Sequence, residues 1–174
     1  MRLSLLALSI LAAVPAFTQV RISQIYGAGG NSGATLNADY VELFNAGASP
    51  VSLAGFSLQY AATAGSNWSK ADIASGTIAA GRYFLLQTSA ATANGAAYTS
   101  DLTVTGVSMA ATAGKIALVN NQTLITAGTS CPAGAAIVDF VPFGTTNNCP
   151  TPVSYTHLRA HETKANLVCR LLLE

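Results

Sequence analysis

In the run Tyr40-Val41-Glu42-Leu43-Phe44-Asn45 the side chains alternate along an extended chain. Val41 and Leu43 fall on one side and Tyr40, Glu42 and Phe44 on the other. Both sides carry apolar groups, so the segment predicts a strand lying between two apolar surfaces. Asn45-Ala46-Gly47 and Ser49-Pro50 then break the run where turn residues are needed, and Val51-Ser52-Leu53 with Phe56-Ser57-Leu58 resumes the alternation. Upstream, Val20 to Tyr26 is apolar at Val20, Ile22 and Ile25. The period of two slips by one between Ser23 and Gln24, which predicts a β-bulge. Phe56, Leu58 and Tyr60 point one way and Ser57 and Gln59 the other, giving a strand whose second face is polar. Thr77-Ile78 and Gly81 lead into Tyr83-Phe84-Leu85-Leu86, a short apolar run that reads as a strand buried on both faces. Lys115 to Asn120 and Ala136 to Val141 read as two more strands, and Ala61 to Ser66 and Ser89 to Ala97 as surface loops. Short strands at turn-punctuated spacing, with no 3.6-residue periodicity before residue 154, predict an all-β sandwich. Its core is expected to hold Val41, Leu43, Leu53, Phe56, Leu58, Phe84, Leu86, Ile116, Leu118 and Val138 or its neighbours.

The order Asp39-Tyr40-Val41-Glu42-Leu43-Phe44-Asn45, a turn, Val51-Ser52-Leu53 and Gly55-Phe56-Ser57-Leu58 resembles the lamin tail domain in the version attached to secreted bacterial proteins. The resemblance covers about Val20 to Pro150 and implies an immunoglobulin-like β-sandwich. It implies a fold and not a ligand or a reaction. It further implies that Glu42 is structural, hydrogen-bonding at the strand interface. Such modules often accompany nuclease or phosphoesterase domains and continue past the Cys149 region into further loops and a last strand, so the module here is expected to be truncated at its C-terminal end.

At 174 residues the chain suits one domain with a real core. Met1-Arg2, the apolar run from Leu3 to Val14 and then Val14-Pro15-Ala16 have the layout of a secretory signal peptide over residues 1–16. The run is shorter than the roughly 20 residues of a membrane span, so no span is expected after signal cleavage. Residues 17–153 form the sandwich domain, secreted or exposed at the envelope exterior. Charged residues are 9% of the chain, against the roughly 25% usual for soluble domains. Within 17–153, Arg21, Lys70, Arg82 and Lys115 stand against Asp39, Glu42, Asp72, Asp101 and Asp139, and four positives minus five negatives gives minus one. With no clustered cations to exchange for counterions, nucleic acid is not an expected partner. Residues 154–174 differ abruptly: Arg159, Lys164 and Arg170, both histidines and Cys169 crowd into SYTHLRAHETKANLVCRLLLE, which resembles an out-of-frame reading of sequencing-adaptor DNA. That tail is expected to be non-native.

Cys131 and Cys149, each followed by Pro and flanking the strand Ala136 to Val141, are expected to form a disulfide in an oxidising compartment. Neither belongs to a C-x-x-C pair, so no metal site is expected there. His157 and His161 sit four apart, but Glu162 follows the second and does not stand between them, so H-E-x-x-H is absent. Asp39 and Glu42 lie at odd spacing and face opposite ways, while Asp72, Asp101 and Asp139 are scattered singly. No G-x-S-x-G elbow occurs, and no His precedes residue 154 to act as a general base. Gly27-Ala28-Gly29-Gly30 lacks the following helix and Lys of a phosphate loop. Trp68, in Asn67-Trp68-Ser69 within what reads as a polar loop, is either a packing lid over the sandwich edge or, with Tyr60, a sugar-stacking surface. The expectation is a non-catalytic module without cofactor or metal, binding an extracellular protein or surface polymer. The alternatives are an accessory module of a truncated secreted nuclease or phosphoesterase, and a carbohydrate-binding sandwich using Tyr60 and Trp68.

Overall fold

A computed structural model describes residues 19–144 and 147–149. Ten strands follow in chain order: β1 (Val20–Tyr26), β2 (Tyr40–Asn45), β3 (Val51–Ser52), β4 (Phe56–Ala61), β5 (Ser69–Ile73), β6 (Thr77–Ile78), β7 (Tyr83–Gln87), β8 (Leu102–Thr103), β9 (Gly114–Val119) and β10 (Ile137–Phe143). They form two four-stranded sheets, β1-β2-β7-β8 and β10-β9-β4-β5, with β3 and β6 paired separately. All pairings are antiparallel except β7 with β8. No α-helix occurs among the described residues, so none there is long and apolar enough to cross a membrane. The architecture is the all-β sandwich that the alternating pattern predicts, of the immunoglobulin-like kind that the resemblance implies.

The inward residues of β2 and β4, Val41, Leu43 and Leu58, are fully buried against Leu86, Ile116 and Leu118. Burying such a side chain contributes about 1.5–3 kcal/mol each. The register of β1 on β2 shifts between Ile22 and Gln24, where the sequence slips. Ser23, the extra residue, gives its hydroxyl to the Glu42 carboxylate and to the Glu42 carbonyl. Glu42 therefore fastens the bulge.

Two strands depart from the sequence reading. β5 occupies a stretch that begins in what reads as a polar loop, and its inward residues Ala71 and Ile73 are buried in the core. β7 is covered on one side only: Phe84 and Leu86 are buried, while Tyr83 is exposed and Leu85 half-buried.

Both long sides of the sandwich are closed. On one, the Ile22 amide of β1 donates to the Asp139 carboxylate of β10 at 2.7 Å, a link between the two sheets. On the other, residues 104–109 run between β8 and β5, burying Val104, Val107 and Met109 in the core. Gly106 makes this possible. Its φ is 113°, and a Cβ would lie 2.3 Å from the Lys70 carbonyl oxygen.

Candidate functional site

The outward face of the β10-β9-β4-β5 sheet carries Ser57, Gln59, Lys115, Ala117 and Val119, all buried. Alternation alone would put them in solvent; loop 120–136 lies across them as a strap. Ser57 Oγ donates to the Asn121 carbonyl at 2.6 Å. Gln59 Nε2 donates to the Thr123 carbonyl at 2.8 Å, and Gln59 Oε1 accepts from the Ile125 amide at 2.8 Å. Lys70 Nζ donates to the Gln122 carbonyl at 2.6 Å. Each buried polar group thus regains the hydrogen bond that burial would otherwise remove. The polar face of β4 is polar because it holds a loop, not because it meets water.

Tyr60 and Trp68 are not brought together. Tyr60 pairs with Ser69, so Trp68, one residue earlier, projects from the opposite side of the sheet. Tyr60 packs against the inter-sheet core and its hydroxyl accepts from the Ala110 amide at 3.0 Å. Trp68 is only 7% exposed, clustered with Ala61, Ala117 and Val119, and its Nε1 donates to the Thr129 carbonyl of the strap at 2.8 Å. The indole is a packing lid. A flat sugar-stacking surface from this pair has no room to form, because the strap occupies the ring's outer side.

Lys115 carried no signal in the sequence beyond its charge. Its side chain is 0% exposed, with Nζ donating to the Gly65 carbonyl at 2.6 Å and to Asn148 Oδ1 at 3.4 Å, and lying 6.0 Å from the Trp68 ring centre. Burial pushes its pKa below the usual lysine value, because the charged form loses its water. Beside it, Cys131 and Cys149 are disulfide-bonded with Cα atoms 5.6 Å apart, joining the strap to the segment 147–149.

The acidic residues sit apart, each fastening a different part of the fold. Asp39 is buried, accepting from the Gly29 amide at 2.8 Å and the Met109 amide at 3.2 Å. Gly29 is required there, since a Cβ would lie 1.9 Å from the Ala38 carbonyl carbon, so the glycine-rich loop serves close packing. Asp101 accepts from the Leu85 amide, and Asp72 pairs with Lys70 at 2.6 Å. Among the described residues no group of three or more His, Cys, Asp or Glu is placed to hold a metal ion. His157, His161 and Cys169 lie outside the described residues, as do residues 1–16 and the tail 154–174.

Burial raises the Asp39 pKa above its ordinary 3.8, a rise that the two amide hydrogen bonds only partly offset. The Tyr98 hydroxyl, which donates to the Asp39 carbonyl oxygen at 3.0 Å, is also pushed up, first by burial and then by the Asp39 charge. A carboxyl whose folded pKa is raised adds stability that is fully present below the unfolded value and is lost as pH climbs through the folded one. Relative to Asp39→Asn, the parent should therefore gain most below pH 3.8 and lose that advantage toward neutrality. Urea midpoints of both proteins across that range check this. A constant difference would contradict it.

The outward face of the other sheet ends differently. Arg21, Phe44 and Tyr83 form one cross-strand row. Arg21 is exposed, Phe44 half-buried, and Tyr83 47% exposed, with the Phe44 and Tyr83 rings 4.7 Å apart. At the far end Tyr26 stacks on Tyr40 at 5.4 Å beneath Leu36 and Tyr98. The Phe44–Tyr83 end is thus an accessible aromatic surface with a cation at its margin. Exposed aromatic and Arg side chains are the groups that anchor protein contacts most strongly. Sequence reading placed Tyr83 in a strand buried on both faces and so missed it.

A family model described as Lamin Tail Domain matches residues 13–130. The matched span takes in β1 to β9 and ends one residue before Cys131. Comparison with curated proteins returns no match.

Proposed function

Since this chain belongs to the lamin tail domain family, a structural immunoglobulin-like family and not a catalytic one, we propose that it is a secreted module that attaches to an extracellular protein or surface polymer through the Arg21, Phe44 and Tyr83 face. The observation that carries this reading is the asymmetry of the two outer faces. One is roofed by the strap, while the other leaves a ring pair open beside a cation. Family membership supports the non-catalytic part, and the Met1 to Ala16 layout supports export. Buried carboxylates and Lys115 engage main-chain groups, which suits a structural role for them.

The test is retention of the purified protein on isolated cell-envelope material. Tyr83→Ala is expected to weaken retention by about tenfold, the effect of losing on the order of 1–2 kcal/mol at an aromatic anchor. Because Tyr83 is 47% exposed, the change should cost the fold only its cross-strand ring contact with Phe44, a modest fall in melting temperature that leaves the protein folded at the temperature of the assay. Equal retention of parent and variant would overturn the assignment of the face, and no retention of either would overturn the attachment role. Export is checked separately by expressing the full chain and measuring whether the mature mass begins after Ala16.

A further inference from the structure

We propose that the Cys131–Cys149 bond is the clasp of a redox-operated cover, so that thiol attack on Cys131 lifts the strap from Trp68 and Lys115 while the sandwich beneath persists. The bond joins the two segments that cover Trp68 and Lys115. Thr129, two residues before Cys131, supplies the carbonyl that holds the Trp68 indole. Asn148, next to Cys149, lies over Lys115, and Asn147 Nδ2 donates to the Gly114 carbonyl at 2.7 Å. Other fastenings hold the strap on both flanks of residues 129–131: Ser57 and Gln59 bind residues 121–125, the Gly128 amide donates to the Ser66 carbonyl at 3.1 Å, and the Asn120 amide donates to the Ala136 carbonyl at 2.9 Å where the strap enters β10. Opening the clasp therefore loosens the middle stretch around residues 128–134, while both ends of the strap stay tied to β9 and β10.

The two sulfurs are unequally placed. Cys131 is exposed, whereas Cys149 is 6% exposed, so a small dithiol reaches the Cys131 sulfur first. One reductant thiolate forms a bond to Cys131 Sγ. The Cys131–Cys149 bond breaks, and its electron pair leaves on Cys149 Sγ, which later takes a proton. The reductant's second thiol then displaces Cys131 and closes into the reductant's own disulfide, so the protein gains two electrons and the dithiol loses two. Cys149 Sγ lies 3.7 Å from Asn148 Oδ1, itself 3.4 Å from Lys115 Nζ. The loosened stretch uncovers an indole, an ammonium group and the apolar Ala117 and Val119.

The chain has one Trp, so its emission reports directly on the covered cluster. The intact protein, treated with dithiothreitol without denaturant, is expected to show a red-shifted and more quenchable Trp68 emission. Lys115 should pass from protected to labelled by an amine-acylating reagent, read by peptide mapping, while the far-ultraviolet dichroism of the strands is kept. Cys131→Ser and Cys149→Ser should show the same open signature without reductant. Full reduction with Trp68 and Lys115 unchanged would overturn the proposal. So would resistance of the bond to dithiol in the folded protein, or loss of the strand signal on reduction.

Discussion

Asp139→Ala is expected to lower the unfolding free energy by about 3 kcal/mol, because it strands buried amides that a charged acceptor now satisfies. The carboxylate accepts from the Ile22 amide at 2.7 Å and from the Phe140 amide at 2.9 Å, and the residue is only 7% exposed. The first of these bonds reaches across 117 residues of sequence to join the outer strands of the two sheets. Its loss is felt by the whole sandwich and not by one loop. Asp139→Asn keeps one acceptor oxygen and should cost less than the alanine change. Urea denaturation with an unchanged m-value is the measurement. A loss under about 0.5 kcal/mol, the size of an ordinary surface substitution, would mean that the seam between β1 and β10 holds without this carboxylate.

Cys131→Ser and Cys149→Ser are each expected to cost about 3 kcal/mol in the chain-entropy account of cross-links. The sequence separation the bond closes is 18, and the two changes remove one shared bond. The double variant should therefore melt where either single one does. Summed effects would show two independent sites, contrary to the pairing. A small domain with a typical margin of 5–15 kcal/mol survives this loss, so the reduced chain is expected to stay folded.

The sandwich was legible because its inner faces obey a local rule. Val41 and Leu43, and again Phe56 and Leu58, stand two residues apart, and the slip at Ser23 shows in the sequence as it does in the register of β1 on β2. The roofed face was illegible for a non-local reason. Ser57, Gln59 and Lys115 have the right period for an outward face, and polar residues there ordinarily meet water. Only the path of residues 120–136, set by pairing distant in sequence, turns that face into an interior. The same cause concealed β5: the alternation in Ser69-Lys70-Ala71-Asp72-Ile73 is real, but Trp68 at its entrance looked like part of a polar loop. Tyr83 failed in the opposite sense. A continuous apolar run reads as buried on both sides, yet here nothing in the run itself told which ring would be left uncovered.

Apart from the Cys131 disulfide and the Ile125 side chain packed on the Trp68 cluster, the sheet holds its strap through main-chain atoms: the carbonyls of Asn121, Gln122, Thr123 and Thr129, and the amide of Ile125. Side chains such as Gln122 and Leu124 point outward and take no part in that grip. Their identities are therefore interchangeable at little energetic cost, and exposed positions 122–124 are a natural place to display foreign side chains, held in a fixed shape by a scaffold indifferent to their spelling.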